Sequence, residues 1–514
     1  MACQPLLRAM SALEGQGYSQ RNLGFMRFLR RKNCRGVSQL GALLSAFFAL
    51  SWAGQVHAQN IRAEIAILSN APARVRIQLA LPHPTSVFSF RNSYAGVLGL
   101  GERIEHLDAE LDGTTVSAKK LAPGEYETDR KVTRIIYEVN LNGPLPPAQM
   151  SHVSWLNNNG GLLMLSDLLP RAARESGGDA SILVAVPSHW SVDSNVSRTE
   201  NAYQTVNPDK AVFLVGSSVR RKIGRAGATN FSVVTLGKWP FADDDVLKIG
   251  RKLIEEYTKV TGHPLKSDPV LMLLPLPGEI GPERWTAETR GNAVVILIGS
   301  QAKRKQVLAK LGIVLTHEIF HLWVPNELTL AGDYDWFFEG FTLYQALRMA
   351  LRLKLISFGT YLDTIARVYD SYLTSPEVDR LSLIEASERR WTSSSALVYD
   401  KGMLAAFVYD LALRSATDCE RSLNEVYRQL FRPGGTGQGS ANETIIGILT
   451  GPAAMNSFGR EYVETAGRIN LQPILSSYGL QLRPGALGQV TKLVLANNLN
   501  NVQRKALRCL GHGG

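Results

Sequence analysis

The chain has 514 residues, too many for one ordinary domain, of which 45% are hydrophobic and 20% charged. That balance is one of a folded protein and excludes collagen, coiled coil and extended disorder. The formal net charge of +11 is concentrated at the start: residues 1–58 hold seven basic residues between Arg8 and Arg35 and one acid, Glu14, leaving +5 for the remainder. No Lys/Arg-rich run with interleaved aromatics follows, which argues against a nucleic-acid partner.

Met26 to Arg35 is basic, Leu40 to Ala53 is an uncharged apolar run of 14 residues, and Gln55-Val-His-Ala58 offers a small residue for cleavage. This order is that of a secretory signal peptide, and the run is short of the roughly 20 residues a membrane-spanning helix needs. The expectation is an exported protein, periplasmic or secreted, with no stable membrane anchor after cleavage of residues 1–58. Translation starts at Met1 or at Met26. Cleavage would leave two cysteines, Cys419 and Cys509, and two readings of them: a disulfide, or two unpaired thiols.

From residue 59 to about 225 the chain reads as strands. Ala73 to Leu81 and Thr133 to Leu141 alternate apolar and polar residues, and turn clusters such as Asn157 to Gly161 separate the short runs. A β-sandwich-like domain is expected here. Gly96, Gly99 and Gly101 lack the strand-loop-helix context of a phosphate loop and read as a turn. The texture changes after Phe241. Asp243 to Tyr257 opens on three acids and continues with helical spacing, which suits the positive end of a helix dipole. Pro269 to Leu274 and Ala293 to Ile298 are short apolar runs expected as strands. Lys305 to Val324 has helical periodicity, with Pro325 as its stop. Beyond Phe337 the pattern is helical to about Phe431, and a Gly-rich loop, 432–440, precedes a smaller helical remainder.

The helix expected to end near Trp323 contains Thr316-His317-Glu318-Ile319-Phe320-His321. Four residues at 3.6 per turn bring His317 and His321 to nearly one face, so both imidazoles can reach one zinc ion at about 2.0–2.1 Å. Glu318 is then placed to reach a water on that metal. A catalytic zinc needs a third protein ligand. Glu339 supplies a lone carboxylate inside the strongly apolar stretch Trp336 to Tyr344, and metal ligation accounts for a charge in such a place.

These residues carry a resemblance. His317-Glu-Ile-Phe-His321-Leu-Trp323, followed by Phe338-Glu339-Gly-Phe-Thr-Leu-Tyr344, resembles the gluzincin metallopeptidases, and more narrowly the glycyl aminopeptidase family (peptidase family M-61). Leu381 to Ser387 with Trp391, Tyr399-Asp-Lys-Gly402, and Val186-Pro-Ser-His-Trp190 are similar to further segments of that family. The resemblance implies a zinc-dependent peptidase acting on peptide or protein substrates. His317, His321 and Glu339 would bind Zn2+, Glu318 would be the base, and Tyr399 would hydrogen-bond the oxyanion. Two segments depart from the family. Trp323-Val-Pro-Asn326 has a spacing nearer the related alanyl aminopeptidases, and Trp285 to Arg290 stands where aminopeptidases of this clan carry a Gly-rich motif. Its Glu288 matches the glutamate that would hold a substrate's free amine. No C-terminal PDZ-like module is evident.

The expected architecture is α+β and multidomain. It comprises a signal region (1–58), the N-terminal β domain (59–225), a thermolysin-like α/β zinc catalytic domain (226–345), a helical subdomain (346–432) and a C-terminal helical region (433–514). The rival to an active peptidase is a catalytically inactive, zinc-bearing peptide-binding module.

Overall fold

The structure is a computed structural model, and it describes residues 60–513 apart from 143–144, 176–177, 279, 391–393, 436–439 and 484–490. The signal region, with Cys3, Cys34, Met26 and the run Leu40 to Ala53, lies outside the described residues, as does Trp391.

The chain is multidomain, with an N-terminal β-rich region and a C-terminal helical region. The β-rich region opens with a nine-stranded sheet whose central strands are Ala180–Ala185, Ile61–Asn70, Ala73–Ser89 and Glu125–Asn140. Alternation in the sequence becomes alternation in burial: Ile61, Ala63 and Ile65 are buried while Arg62 and Glu64 are exposed. Register stacks Ile65, Ile77 and Tyr137 across three neighbouring strands, and each such side chain buried in full contributes roughly 1.5–3 kcal/mol. On the outer face Arg76 pairs with Glu138 at 3.0 Å. The Gly96–Gly99 segment is the expected turn: it joins the short strands Ser93–Tyr94 and Val97–Leu98, and Gly99 takes φ 74° before a 3-10 turn.

A four-stranded sheet (Ser191–Ser194, Val212–Gly216, Gly160–Met164, Trp155–Asn157) then packs on a five-stranded mixed sheet. The latter has the order Arg220–Ala226, Thr229–Thr235, Val270–Pro275, Ala293–Ile298 and Trp285–Arg290. Its inner strands are apolar without alternation because both faces are covered. Val234, Met272, Leu274, Val295 and Leu297 meet the four-stranded sheet. Val233, Leu271, Leu273, Val294 and Ile296 meet the helices instead. The strand Trp285–Arg290 is the sheet's edge, antiparallel to Ala293–Ile298.

Two helices cover the second face. Asp243–Thr261 begins with its three acids and ends at Gly262, at φ 69°. Arg304–Glu318 follows and ends six residues before the expected Val324. From Ile319 onward the amides of Leu322 and Trp323 bond three residues back, tightening Phe320–Leu322 into a 3-10 turn. The helices Thr342–Arg352, Phe358–Leu373, Leu383–Glu388 and Ser395–Ala416 realise the long helical pattern read from the sequence. The remainder is not wholly helical: strands Leu480–Arg483 and Lys492–Leu495 form a two-stranded sheet among its helices. Each is only four residues long, too short for its alternation to stand out from a helical background. Cys419 and Cys509 are joined in a disulfide, which selects one of the two readings of that pair. Among the described residues no helix is long and apolar enough to cross a membrane.

Candidate metal centre

One buried helix, a 3-10 turn and a π-helical turn place three donors at a common point. His317 ends the helix Arg304–Glu318, held against the sheet by Leu311, Val314 and Leu315. Tyr257 of the neighbouring helix donates to the Thr316 carbonyl, its ring lying 4.8 Å from that of Phe320. His321 sits in the 3-10 turn that follows, and the Trp323 indole anchors that turn to the His263 carbonyl at 2.8 Å. Glu339 comes from the π-helical turn Trp336–Phe341, a wider helical geometry that is frequent at functional sites. Asparagine and serine tie this turn down: Trp336 donates its indole to Asn442 and its amide to Ser387.

The three donor atoms converge. His317 Nε2 and His321 Nε2 are 2.9 Å apart, and Glu339 Oε2 lies 3.7 Å from the first and 3.4 Å from the second. Tetrahedral zinc with ligands at about 2.0–2.1 Å has its donors about 3.3 Å apart, so the triangle has the size the ion demands. His321 Nδ1 meets the Val324 carbonyl at 2.8 Å, which sets the tautomer whose Nε2 lone pair faces the other donors. Glu339 Oε2 is buried and has no hydrogen-bond partner among the described residues, an arrangement costly without a cation. These three residues could hold Zn2+, and the donor set fits it.

Electrostatics agree with ligation. Burial, reinforced by His321, holds the His317 imidazole down at about 4, so it is a neutral donor at pH 7. Burial also opposes charge on His321, but Glu339 outweighs it and pushes that imidazole up to about 9. Burial resists the Glu339 carboxylate too, while Arg390 and then His321 hold it down at about 2.

The remaining expected residues fall into two groups. Glu318 is buried beside the donors, and Thr289 of the edge strand contacts both its main-chain oxygen and its Oε2 at 2.8 Å. Tyr399 lies near the start of Ser395–Ala416 and accepts a hydrogen bond from Arg390. Glu288 precedes Thr289 and so leaves the opposite face of the strand. There it receives the Tyr94 hydroxyl at 2.7 Å, His152 Nδ1 at 2.6 Å and two Arg290 nitrogens at 3.1 and 2.8 Å. Three of those contacts fall on Oε1 and one, from His152, on Oε2.

Three residues of the site were not legible beforehand. Thr289 is one hydroxyl in an ordinary strand, and Arg390 and Asp335 sit in charged stretches that read as surface. Arg390 is in fact only 2% exposed, with its guanidinium bonded to Asp335, Glu339 and Tyr399. Its pairing with two carboxylates more than 50 residues away, Asp335 and Glu339, accounts for its burial.

Residues 311–404 match the sequence model of the M61 glycyl aminopeptidases, a segment containing His317, Glu318, His321, Glu339 and Tyr399. No curated protein matches the chain. Among solved structures, an aminopeptidase N family protein from Idiomarina loihiensis is similar with a TM-score of 0.69 at 17% identity, covering 82% of this chain and 79% of that one. A variant of the M1 zinc metallopeptidase from Deinococcus radiodurans, bound to a Tyr-Ser-Ala substrate, gives a TM-score of 0.50 at 15% identity, covering 80% and 95%. At such identities the likeness is one of fold. With the donor triangle and the matched segment together, the class is defined: this is a zinc metallopeptidase, a hydrolase of gluzincin type. Within that class it resembles the M61 glycyl aminopeptidases.

Proposed function

We infer that the protein hydrolyses peptide bonds with Glu318 as general base and Tyr399 as oxyanion donor. The observation that carries this reading is the Glu318 carboxylate, buried beside three converging donors and oriented by Thr289. Zinc, when bound, supplies Lewis-acid polarisation and a water acidified to a pKa of about 7. Glu318 accepts the proton as the nucleophile forms and delivers it to the departing amine. Tyr399 offers its hydroxyl where negative charge grows on the carbonyl oxygen. Glu318→Gln should retain zinc and lose hydrolysis of a mixed peptide library; wild-type turnover in that variant would end the assignment. Wild-type protein that binds zinc yet cleaves nothing, with or without chelator, would favour the inactive peptide-binding module.

The family resemblance supports an aminopeptidase, and the bound tripeptide in the Deinococcus radiodurans relative supports a peptide substrate. Glu288 is the residue for the free amine in this reading. The amine would have to replace one of the donors now on that carboxylate, for which Tyr94, from the β-rich region, is the neutral candidate. The sheet pair before residue 225 supports the β-sandwich-like description, and the five-stranded sheet with its zinc helix the thermolysin-like one. Export to the periplasm or beyond is supported by the leader-like start and by the Cys419–Cys509 disulfide.

A further inference from the structure

Arg390 is buried at the junction of two parts of the site that come from different helices. One nitrogen, Nη2, donates to Glu339 Oε1 at 2.9 Å and also to the Tyr399 hydroxyl oxygen. A guanidinium Nη carries two hydrogens, so each is committed to one acceptor. Nη1 pairs with Asp335, which opens the same irregular turn that bears Glu339. The guanidinium is flanked by the Phe338 and Tyr399 rings, at 5.6 and 5.2 Å, so its plane is fixed on several sides.

We propose that Arg390 is a positioning residue that keeps Glu339 a one-oxygen metal ligand and Tyr399 a hydrogen-bond donor. The first half follows from the division of the carboxylate: Oε1 is bonded to Arg390, and Oε2 alone faces the two imidazoles. A carboxylate held this way leaves a coordination position open for water, as a catalytic site requires. The second half follows from arginine chemistry. Arginine has donors and no acceptor, so by filling a lone pair on the Tyr399 oxygen it leaves the phenolic hydrogen for some other acceptor, such as a carbonyl oxygen. Lysine could supply the charge but not the planar fork that serves Asp335, Glu339 and Tyr399 together. The charge balances locally because Asp335 offsets Arg390, which is why both are tolerated in the interior.

The inference rests on the zinc-peptidase reading, but two of its measurements do not depend on turnover. The variant pair is Arg390→Lys and the double substitution Arg390→Gln with Asp335→Asn, the latter removing both charges of the Arg390–Asp335 pair while Glu339 keeps the two imidazoles. Zinc affinity is read by chelator competition, the coordination of the cobalt(II)-substituted protein by its visible spectrum, and catalysis by kcat and KM separately. In the double variant zinc should bind at least about tenfold more weakly. The cobalt bands should weaken as the second carboxylate oxygen joins the metal. Turnover should fall about 100-fold in kcat with little change in KM. Arg390→Lys should recover part of the zinc affinity and little of kcat. Unaltered zinc affinity and cobalt spectrum in a folded double variant would overturn the proposal. Should that variant fail to fold, a wild-type spectrum and kcat in Arg390→Lys would overturn it equally. Wild-type protein that binds zinc yet cleaves no peptide would defeat the peptidase reading without touching either metal measurement.

Discussion

Thr289 and Glu318 show how much a single hydroxyl can decide. A threonine Oγ1 has one hydrogen, and here it lies 2.8 Å from both the main-chain oxygen and the Oε2 of Glu318. If Glu318 is the base, its carboxylate has to keep one orientation while it works, and Thr289 is placed to hold Oε2. Thr289→Val keeps the shape and removes the hydrogen bond. A hydrogen bond to a charged group contributes about 1.5–3 kcal/mol, so kcat should fall about 10- to 100-fold. KM and zinc content should stay near wild type, and Thr289→Ser should restore most of the rate. A Val variant with undiminished kcat would show that the helix alone orients the base. The sequence offered Glu318 as a candidate from its place after His317, but it could not offer Thr289. Strand and helix are far apart in the chain, and nothing in a lone threonine announces its partner.

At the scale of elements, the metal site depends on how the turn Trp336–Phe341 meets the helix Ser395–Ala416. The crossing is made by two glycines: a Cβ on Gly340 would stand 2.5 Å from the Gly402 Cα, and one on Gly402 would stand 2.6 Å from the Trp336 carbonyl oxygen. Backbone, not flexible side chain, occupies the space, so the neighbours have no cheap way to yield. This gives a physical account of the glycines in Glu339-Gly340 and in Tyr399-Asp-Lys-Gly402. They let the element carrying Glu339 approach the one carrying Tyr399. Gly402→Ala should lower stability by about 1–3 kcal/mol and weaken zinc binding, since any separation moves Glu339 away from the imidazoles. Urea unfolding and zinc titration read the two effects; an alanine variant with native stability and native zinc affinity would refute the close-packing account. The histidine pair was legible because a spacing of four residues puts both on nearly one face of a helical stretch. Glu339 was legible through its incongruous charge and the resemblance of the segment around it, and the tightening after Glu318, which carries His321 on a 3-10 turn, left no mark in the periodicity.

For the molecule as a whole, the legible parts are those where burial is one-sided or complete. The alternating strands from Ile61, the apolar strands Val270–Pro275 and Ala293–Ile298, and the helices after Phe341 all followed from apolar spacing. What did not follow was the stacking. The four-stranded sheet lies on one face of the five-stranded sheet and the zinc helix on the other, and a strand apolar on both sides does not say which neighbour covers which face. Pairing of the two remaining cysteines was likewise open, because a spacing of 90 residues is compatible with bond or no bond. The bond joins the segment after Ser395–Ala416 to the terminal helix Asn501–Cys509, where Arg414 also reaches the Cys509 carbonyl at 3.3 Å. Tyr399 sits at the opposite end of the same long helix, so the disulfide acts on the helical region and not on the zinc ligands. By loop-closure entropy a link of this span stabilises by about 4 kcal/mol. Cys419→Ser with Cys509→Ser should therefore lower the midpoint of thermal unfolding by several degrees, while zinc stoichiometry and peptide hydrolysis at 25 °C persist. Reductant should produce the same fall in the wild type and none in the double variant. A reductant effect of equal size in both would mean that the bond is not what stabilises this end of the molecule.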